Sequence, residues 1–366
     1  MKKWLTWMAA LGLTLSLHGT AGAVSAQSAI VLDGLTGNTL FAQNADEELP
    51  MASTTKIMTA ITAIELGDID RTYTVKPEYT AVEGSSMYLK PGETISLRDT
   101  LYGLMLMSGN DAALAVAGEC GGEETFVQLM NAKAEALGLW HTHFDNPNGL
   151  DGPTHYTTAR ELAQLAAYAM QNKTFREIVG SRTYTSANRT MVNHNKMLRL
   201  YDGAVGVKTG FTKKSGRCLV SAAERNGRRL IAVTLNAPDD WNDQMQMLDD
   251  GFAQYEEVTL HQTGDEICTV PVEGGMLRTV GVDAENTVRL FLTAEEQDEI
   301  QTRIIGRRFL YAPVVAGEIY GTVEYRLGGT VLAQDTLTYG VDSIQLETAP
   351  TRLEQLLDFW QGLFDR

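Results

Sequence analysis

Residues 205–235, VGVKTGFTKKSGRCLVSAAERNGRRLIAVTL, decide the fold. They read as three consecutive strands, Val205 to Gly210, Arg217 to Glu224 and Arg228 to Leu235. Apolar and β-branched residues fill each run, and glycine or charged residues punctuate them. Asn226-Gly227 is the tight-turn signal between the last two. A closing helix follows over Trp241 to Tyr255, with Met245, Leu248 and Phe252 at near-helical spacing.

Working back toward the N-terminus, Ala29 to Asp33 reads as a strand, Thr36-Gly37-Asn38 as its turn, and Thr39 to Ala42 as the return strand. Pro50 ends that connection. From Ser53 to Leu66, Ile57, Met58, Ile61 and Ile64 share one helical face, and Gly67 supplies a stop. Residues 72–97 are polar and strand-like, punctuated by Pro77, Pro91 and Gly92. Arg98 to Gly118 is helical in pattern but broken at Ser108-Gly109. A further helix runs from Glu123 to Leu137. Asn146 to Pro153 is a loop, after which Thr157 or Thr158 caps a helix reaching Met170. Strands come first, helices follow and strands return. The expected class is α+β, with the first and last segments of this region in one antiparallel sheet.

Past Glu256 the pattern changes to short β runs: Thr287 to Leu292, Ile319 to Leu327 and Thr330 to Ala333, with Gly328-Gly329 as a hairpin turn. Val323, Tyr325 and Leu327 alternate with polar neighbours, so one face there is buried. This is a separate small β domain. In residues 352–366, Leu353, Leu356, Leu357, Trp360, Leu363 and Phe364 follow amphipathic helical spacing. That helix fits a membrane surface. Its polar face, with Arg352, Glu354, Asp358, Asp365 and Arg366, is not basic, so packing on protein is the alternative.

The other end reads as a signal peptide: Lys2 and Lys3, an apolar run from Trp4 to Leu17, then small residues. Cleavage is expected after Ala23 or Ala26, which places the protein outside the cytoplasm, in the periplasm or on the outer face of the cell membrane. Loss of residues 1–26 removes two lysines and no acid, taking the net charge from −16 to −18. A chain so acidic repels nucleic-acid phosphates. Residues 203–209 resemble a phosphate loop only superficially, because Val207 stands where that motif needs glycine.

Cys120, Cys218 and Cys268 are far apart and odd in number. They read as three small buried apolar residues, with one disulfide plus a spare thiol as the alternative. His141, His143 and His155 are close in sequence but read as loop and surface histidines, not as zinc ligands. The acidic group Asp239, Asp240, Asp243, Asp249 and Asp250 reads as a solvated helix face.

Three short motifs carry chemistry. In Ser53-Thr54-Thr55-Lys56, positions i and i+3 share a helix face, so hydroxyl and amine can meet. A serine needs a base, and a lysine serves once burial or neighbouring cations favour its neutral form. Ser108-Gly109-Asn110 lies at the helical break, where a hydroxyl and an amide can relay a proton and hold a carbonyl. Lys208-Thr209-Gly210 ends a strand, with a charge and a hydroxyl for a carboxylate and a glycine that admits a substrate backbone. Each alone is an ordinary polar feature. Together they run in the order S-x-x-K, S-x-N, K-T-G, 55 and then 100 residues apart. S-x-x-K with K-T-G marks penicillin-binding proteins and class A β-lactamases.

With these motifs the sequence resembles the low-molecular-mass penicillin-binding proteins, the serine D-alanyl-D-alanine carboxypeptidases. Ser85 to Gly92, Leu104 to Ala113 and Phe144 to Leu150 carry the resemblance further, across most of residues 28–255. It implies a β-lactamase/DD-peptidase-like α+β fold over 27–255, an antiparallel sheet flanked by helices plus a helical region. A small C-terminal β-sandwich over 256–346 and an amphipathic helix over 347–366 complete it.

The resemblance also implies roles. Ser53 attacks the penultimate D-alanine carbonyl of a peptidoglycan stem pentapeptide, and Lys56 takes its proton. Ser108 passes a proton to the leaving amine, and Asn110 orients the substrate. Lys208 and Thr209 hold the terminal carboxylate, with Gly210 beside the substrate backbone. The N–H groups of Ser53 and Phe211 form the oxyanion hole. β-Lactam antibiotics would acylate the same serine. The chemistry calls for no cofactor and no metal. No arginine is assigned to the carboxylate with assurance; Arg199 and Arg217 are candidates, and residues 241–243 are Trp-Asn-Asp.

Three alternatives remain. A β-lactamase shares the acylating parts, but residues 145–158 hold no glutamate to activate water. A non-catalytic wall-binding or penicillin-binding module would keep the fold with a dead site. Transpeptidation or endopeptidase cleavage would use the same acyl-enzyme.

Overall fold

The computed structural model describes residues 24–186 and 189–344. The central sheet has five antiparallel strands: β1 (Ser28–Asp33), β2 (Thr39–Gln43), β3 (Ala204–Thr212), β4 (Gly216–Arg225) and β5 (Arg228–Leu235). Their spatial order is β2-β1-β5-β4-β3. The N-terminal strand thus pairs with the last strand of the 205–235 stretch, Ser28 opposite Leu235. All six residues of β1 are buried, because both sheet faces are covered.

Strand alternation sorts the apolar side chains onto the two faces. Ile30, Leu32, Val220, Ala222, Ile231 and Val233 join the core of the helical region. Ala29, Val31, Leu219, Ala223, Leu230 and Ala232 join a second core with Met247 and Leu248. The helical region comprises α1 (Lys56–Leu66), α2 (Leu97–Leu106), α3 (Asn110–Glu119), α4 (Glu123–Ala136), α5 (Ala159–Ala169) and α6 (Lys173–Gly180); α7 (Asp240–Phe252) closes the opposite face. Ser96 caps α2 and Thr158 caps α5, each accepting from a backbone N–H three residues on. Gly67 ends α1 with φ +82°. α1 is buried from Lys56 to Ala63, the mark of a helix at the centre of a core.

Several expectations need correction. The helix expected from Ser53 begins as a 3₁₀ turn over Ala52–Thr55 before α1. Residues 72–97 hold only two short paired strands, Thr72–Thr74 and Thr94–Ser96, with a single helical turn at Pro77–Thr80. The acidic residues of α7 do not form one solvated face. Asp240 is buried against Arg217, and Asp243 is buried, accepting from Ser25 N and Oγ.

Beyond α7, Glu256–His261 pairs with Val288–Leu292, and a six-stranded sheet follows. Its core holds Val270, Val282, Val323, Tyr325 and Leu337. The Ile319–Leu327 and Thr330–Tyr339 hairpin turns at Gly328-Gly329, and Val323, Tyr325 and Leu327 face inward as their alternation requires. Arg228 at the start of β5 joins this C-terminal β domain to the sheet. Its Nε donates to Phe291 O at 2.7 Å, and its other nitrogens reach Asp33 and Glu296. The amphipathic segment 352–366, the leader 1–23 and the first cleavage point lie outside the described residues. No helix among the described residues is long and apolar enough to cross a membrane.

Candidate active site

The 3₁₀ turn presents Ser53 at the head of α1. One turn on, Lys56 is fully buried and points its amine back at the serine. Lys56 Nζ lies 2.9 Å from Ser53 Oγ, 2.7 Å from Asn110 Oδ1 and 2.5 Å from Asn148 O. Three acceptors surround it, and among the described residues no carboxylate makes an ion pair with it. Burial pushes its pKa well below the usual lysine range and Lys208 pushes the same way, while Asp111 opposes. The amine is therefore poised to exist neutral.

Ser108 and Asn110 sit where α2 hands over to α3. Ser108 holds φ +59°, a costly backbone for a residue with a side chain, and is 6% exposed. Asn110 accepts from Lys56 and donates through Nδ2 to Glu83 O at 2.7 Å, so its amide is held at both ends. Asp111 anchors the segment opposite, accepting from Ser86 Oγ at 2.6 Å, Met87 N at 2.9 Å and Leu89 N at 3.0 Å.

β3 is an edge strand of the sheet and supplies the third motif. Lys208 is buried, with its Nζ on Thr209 O at 2.7 Å, and burial lowers its pKa to about 7. A Cβ on Gly210 would come within 3.1 Å of Ser53 N, so glycine lets β3 lie against the turn that bears the serine. Thr212 N–H turns to Ser215 Oγ. Strand alternation then turns the Phe211 N–H to the open edge. Among the described residues, no turn or loop bond takes up the Ser53 N–H. The Phe211 side chain is exposed.

The structure thus brings Ser53, Lys56, Asn110 and Gly210 together, with Lys208 near enough to bear on the Lys56 charge and with Ser108 and Thr209 as their chain neighbours. It turns one of the two candidate arginines away. Arg217 lies on the α7 face, paired with Asp240 at 2.7 Å and over the Trp241 ring at 5.7 Å. Arg199 is exposed on a short helical turn, Met197–Leu200. Residues missed from sequence are Asn148, whose carbonyl receives the Lys56 amine, and Asp111. Both fall in segments that carry the family likeness, which was the signal available. His155 is also corrected: it is buried, with Nε2 2.7 Å from Thr55 Oγ1, whereas His141 is exposed and His143 half-buried. The three cysteines are free thiols; Cys218 is buried, Cys120 and Cys268 half-buried.

Residues 16–239 match the family model described as D-alanyl-D-alanine carboxypeptidase. The chain belongs to the D-alanyl-D-alanine carboxypeptidase family. Residues 255–344 match a second model, the C-terminal domain of penicillin-binding protein 5. Among family relatives, the chain is 33% identical to the D-alanyl-D-alanine carboxypeptidase DacF of Bacillus subtilis, over 84% of this chain and 83% of that one. It is 32% identical to DacC of Escherichia coli, over 87% and 84%. Among solved structures, penicillin-binding protein 5 from Haemophilus influenzae aligns with TM-score 0.63 and 28% identity, covering 88% of this chain and 98% of that one. The Streptomyces K15 DD-transpeptidase aligns with TM-score 0.61 and 35% identity, over 63% and 98%. The chain is accordingly a serine-type carboxypeptidase, a hydrolase of terminal D-alanyl-D-alanine. Its family acts on peptidoglycan stem peptides and binds β-lactams.

Proposed function

We propose that the carboxypeptidase reaction proceeds through an acyl-enzyme on Ser53. Lys56, neutral, takes the Ser53 proton as Oγ bonds to the penultimate D-alanine carbonyl carbon. The oxyanion rests on Ser53 N–H and Phe211 N–H, each such donor worth about 3 kcal/mol. The C–N bond breaks as the proton held on Lys56 passes through Ser108 to the departing D-alanine amine, and water then hydrolyses the ester. Asn110 holds Lys56 and orients the peptide. Lys208 and Thr209 receive the terminal carboxylate, and β-lactams acylate the same serine.

One observation carries the reading. The Lys56 amine lies 2.9 Å from Ser53 Oγ, buried, and among the described residues no carboxylate makes an ion pair with it. The enzyme acts after export, with its leader cleaved after Ala23 or Ala26, and residues 352–366 bring it to a membrane surface. Incubation with a stem pentapeptide should release one D-alanine per peptide over repeated turnovers, and penicillin should leave one adduct on Ser53 by mass spectrometry. An adduct elsewhere, or none, sinks the assignment.

A further inference from the structure

The Ser53 N–H belongs to the peptide unit whose carbonyl is Ala52 O. A peptide unit is planar, so whatever pins that oxygen aims that N–H. Thr55 Oγ1 donates to Ala52 O at 2.8 Å. Thr55 Oγ1 in turn lies 2.7 Å from His155 Nε2. The ring's other nitrogen settles the direction. Asp145 N–H donates to His155 Nδ1 at 3.0 Å, so the neutral ring carries its proton on Nε2 and gives it to Thr55. Donation therefore runs one way, from His155 to Thr55 to Ala52 O.

The surroundings hold this chain in place. Thr55 is fully buried and His155 is 5% exposed. Burial lowers the imidazole pKa to about 4, which keeps it neutral near pH 7. Ala52 has φ +48°, a conformation that needs outside support in a residue with a side chain. Gly149 closes on the same carbonyl: a Cβ there would stand 2.1 Å from Ala52 O.

We propose that His155, acting through Thr55, is a positioning residue for the oxyanion hole, fixing the Ala52–Ser53 peptide so that the Ser53 N–H faces the reacting carbonyl oxygen. This rests on the reading of Ser53 as nucleophile. Neither side chain touches the substrate, so losing either should slow the chemical step and leave binding nearly intact.

The test uses the purified enzyme with Thr55→Val, Thr55→Ser and His155→Phe. T55V and H155F should lower kcat for D-alanine release by roughly tenfold to hundredfold, less than deleting a donor outright. KM should stay within about twofold, and penicillin acylation of Ser53 should slow by the same factor. T55S, which keeps the hydroxyl, should remain within about twofold of the parent enzyme. Wild-type kcat in T55V, a rise in KM alone, or equal damage in T55S each overturns the proposal. If H155F fails to fold, the Thr55 pair decides alone, since valine matches threonine in shape. A parent chain that neither releases D-alanine nor takes up penicillin removes the reading of Ser53 and this inference with it. An active parent with unaffected variants removes this inference only.

Discussion

The molecule buries cations in two regions and treats them oppositely. Around Ser53, Lys56 and Lys208 are both buried, and among the described residues neither has a carboxylate in ion-pair contact. At the junction with the β domain, Arg228 is equally buried but lies between Asp33 and Glu296, with Tyr255 OH completing Asp33 at 2.8 Å. A paired buried cation is silent, because its charge is satisfied and its proton fixed. An unpaired one is pushed toward its neutral form and becomes a base. Withheld pairing, rather than burial itself, separates the reactive region from the structural one.

Breaking the unpaired side should give the largest effect. Lys56→Met keeps the bulk of the side chain and removes the base. D-alanine release should fall by about a thousandfold or more, with the fold intact by circular dichroism. Release within tenfold of the parent would mean that another group takes the serine proton.

Breaking the paired side comes next. Arg228→Met strands two buried carboxylates and should cost about 3–5 kcal/mol of stability, read as a lower urea midpoint. Turnover per folded molecule should not change. Equal loss of stability in K56M would erase the contrast between the two regions.

The reactive region was far more legible than its supports. Each of the three motifs is a run of side-chain types at fixed spacing, and the strands of 205–235 are apolar runs set off by turn residues. The third acceptor of Lys56 is a backbone carbonyl, Asn148 O, and carbonyls leave no sign in a sequence. Asp243 looked solvated because a helical acid usually is; its partner, Ser25, lies 218 residues away. No element is assigned to residues 171–202 from sequence, yet they form α6, a hairpin of Thr183–Ser186 with Arg189–Val192, and a short helical turn. Short elements of mixed polarity are fixed by what they pack on.

Lys208 sharpens the comparison through pH. Its folded pKa, about 7, lies below the unfolded lysine value of 10.5. Between those values the unfolded chain binds the extra proton, so this group makes stability rise with pH. Below pH 7 the buried charge is carried in full. Lys208→Met should therefore stabilise the enzyme at pH 6, by about 1–2 kcal/mol, with the gain shrinking toward pH 10. Thermal melts across pH read this directly. A gain that grew with pH would show that Lys208 is charged and paired like Arg228.

Arg217 should give the smallest effect, and it tests whether the carboxylate of the substrate recruits any arginine. Its side chain is 42% exposed, which leaves it open in principle to a ligand. Its cross-strand partner is Phe211, the residue after K-T-G, which brings it close in register to the motif. But its guanidinium is already turned to Asp240, whose carboxylate is 3% exposed, and lies over Trp241. Withdrawing it would leave Asp240 buried without its cation, and burial already raises that carboxyl's pKa. A carboxylate substrate would have to compete with that partner. Arg217→Met should therefore raise KM for a stem peptide by no more than about twofold, with a stability cost of about 1 kcal/mol from the stranded Asp240 carboxylate. A tenfold rise in KM at constant kcat would place Arg217 in the binding set and make it a paired cation that substrate can capture.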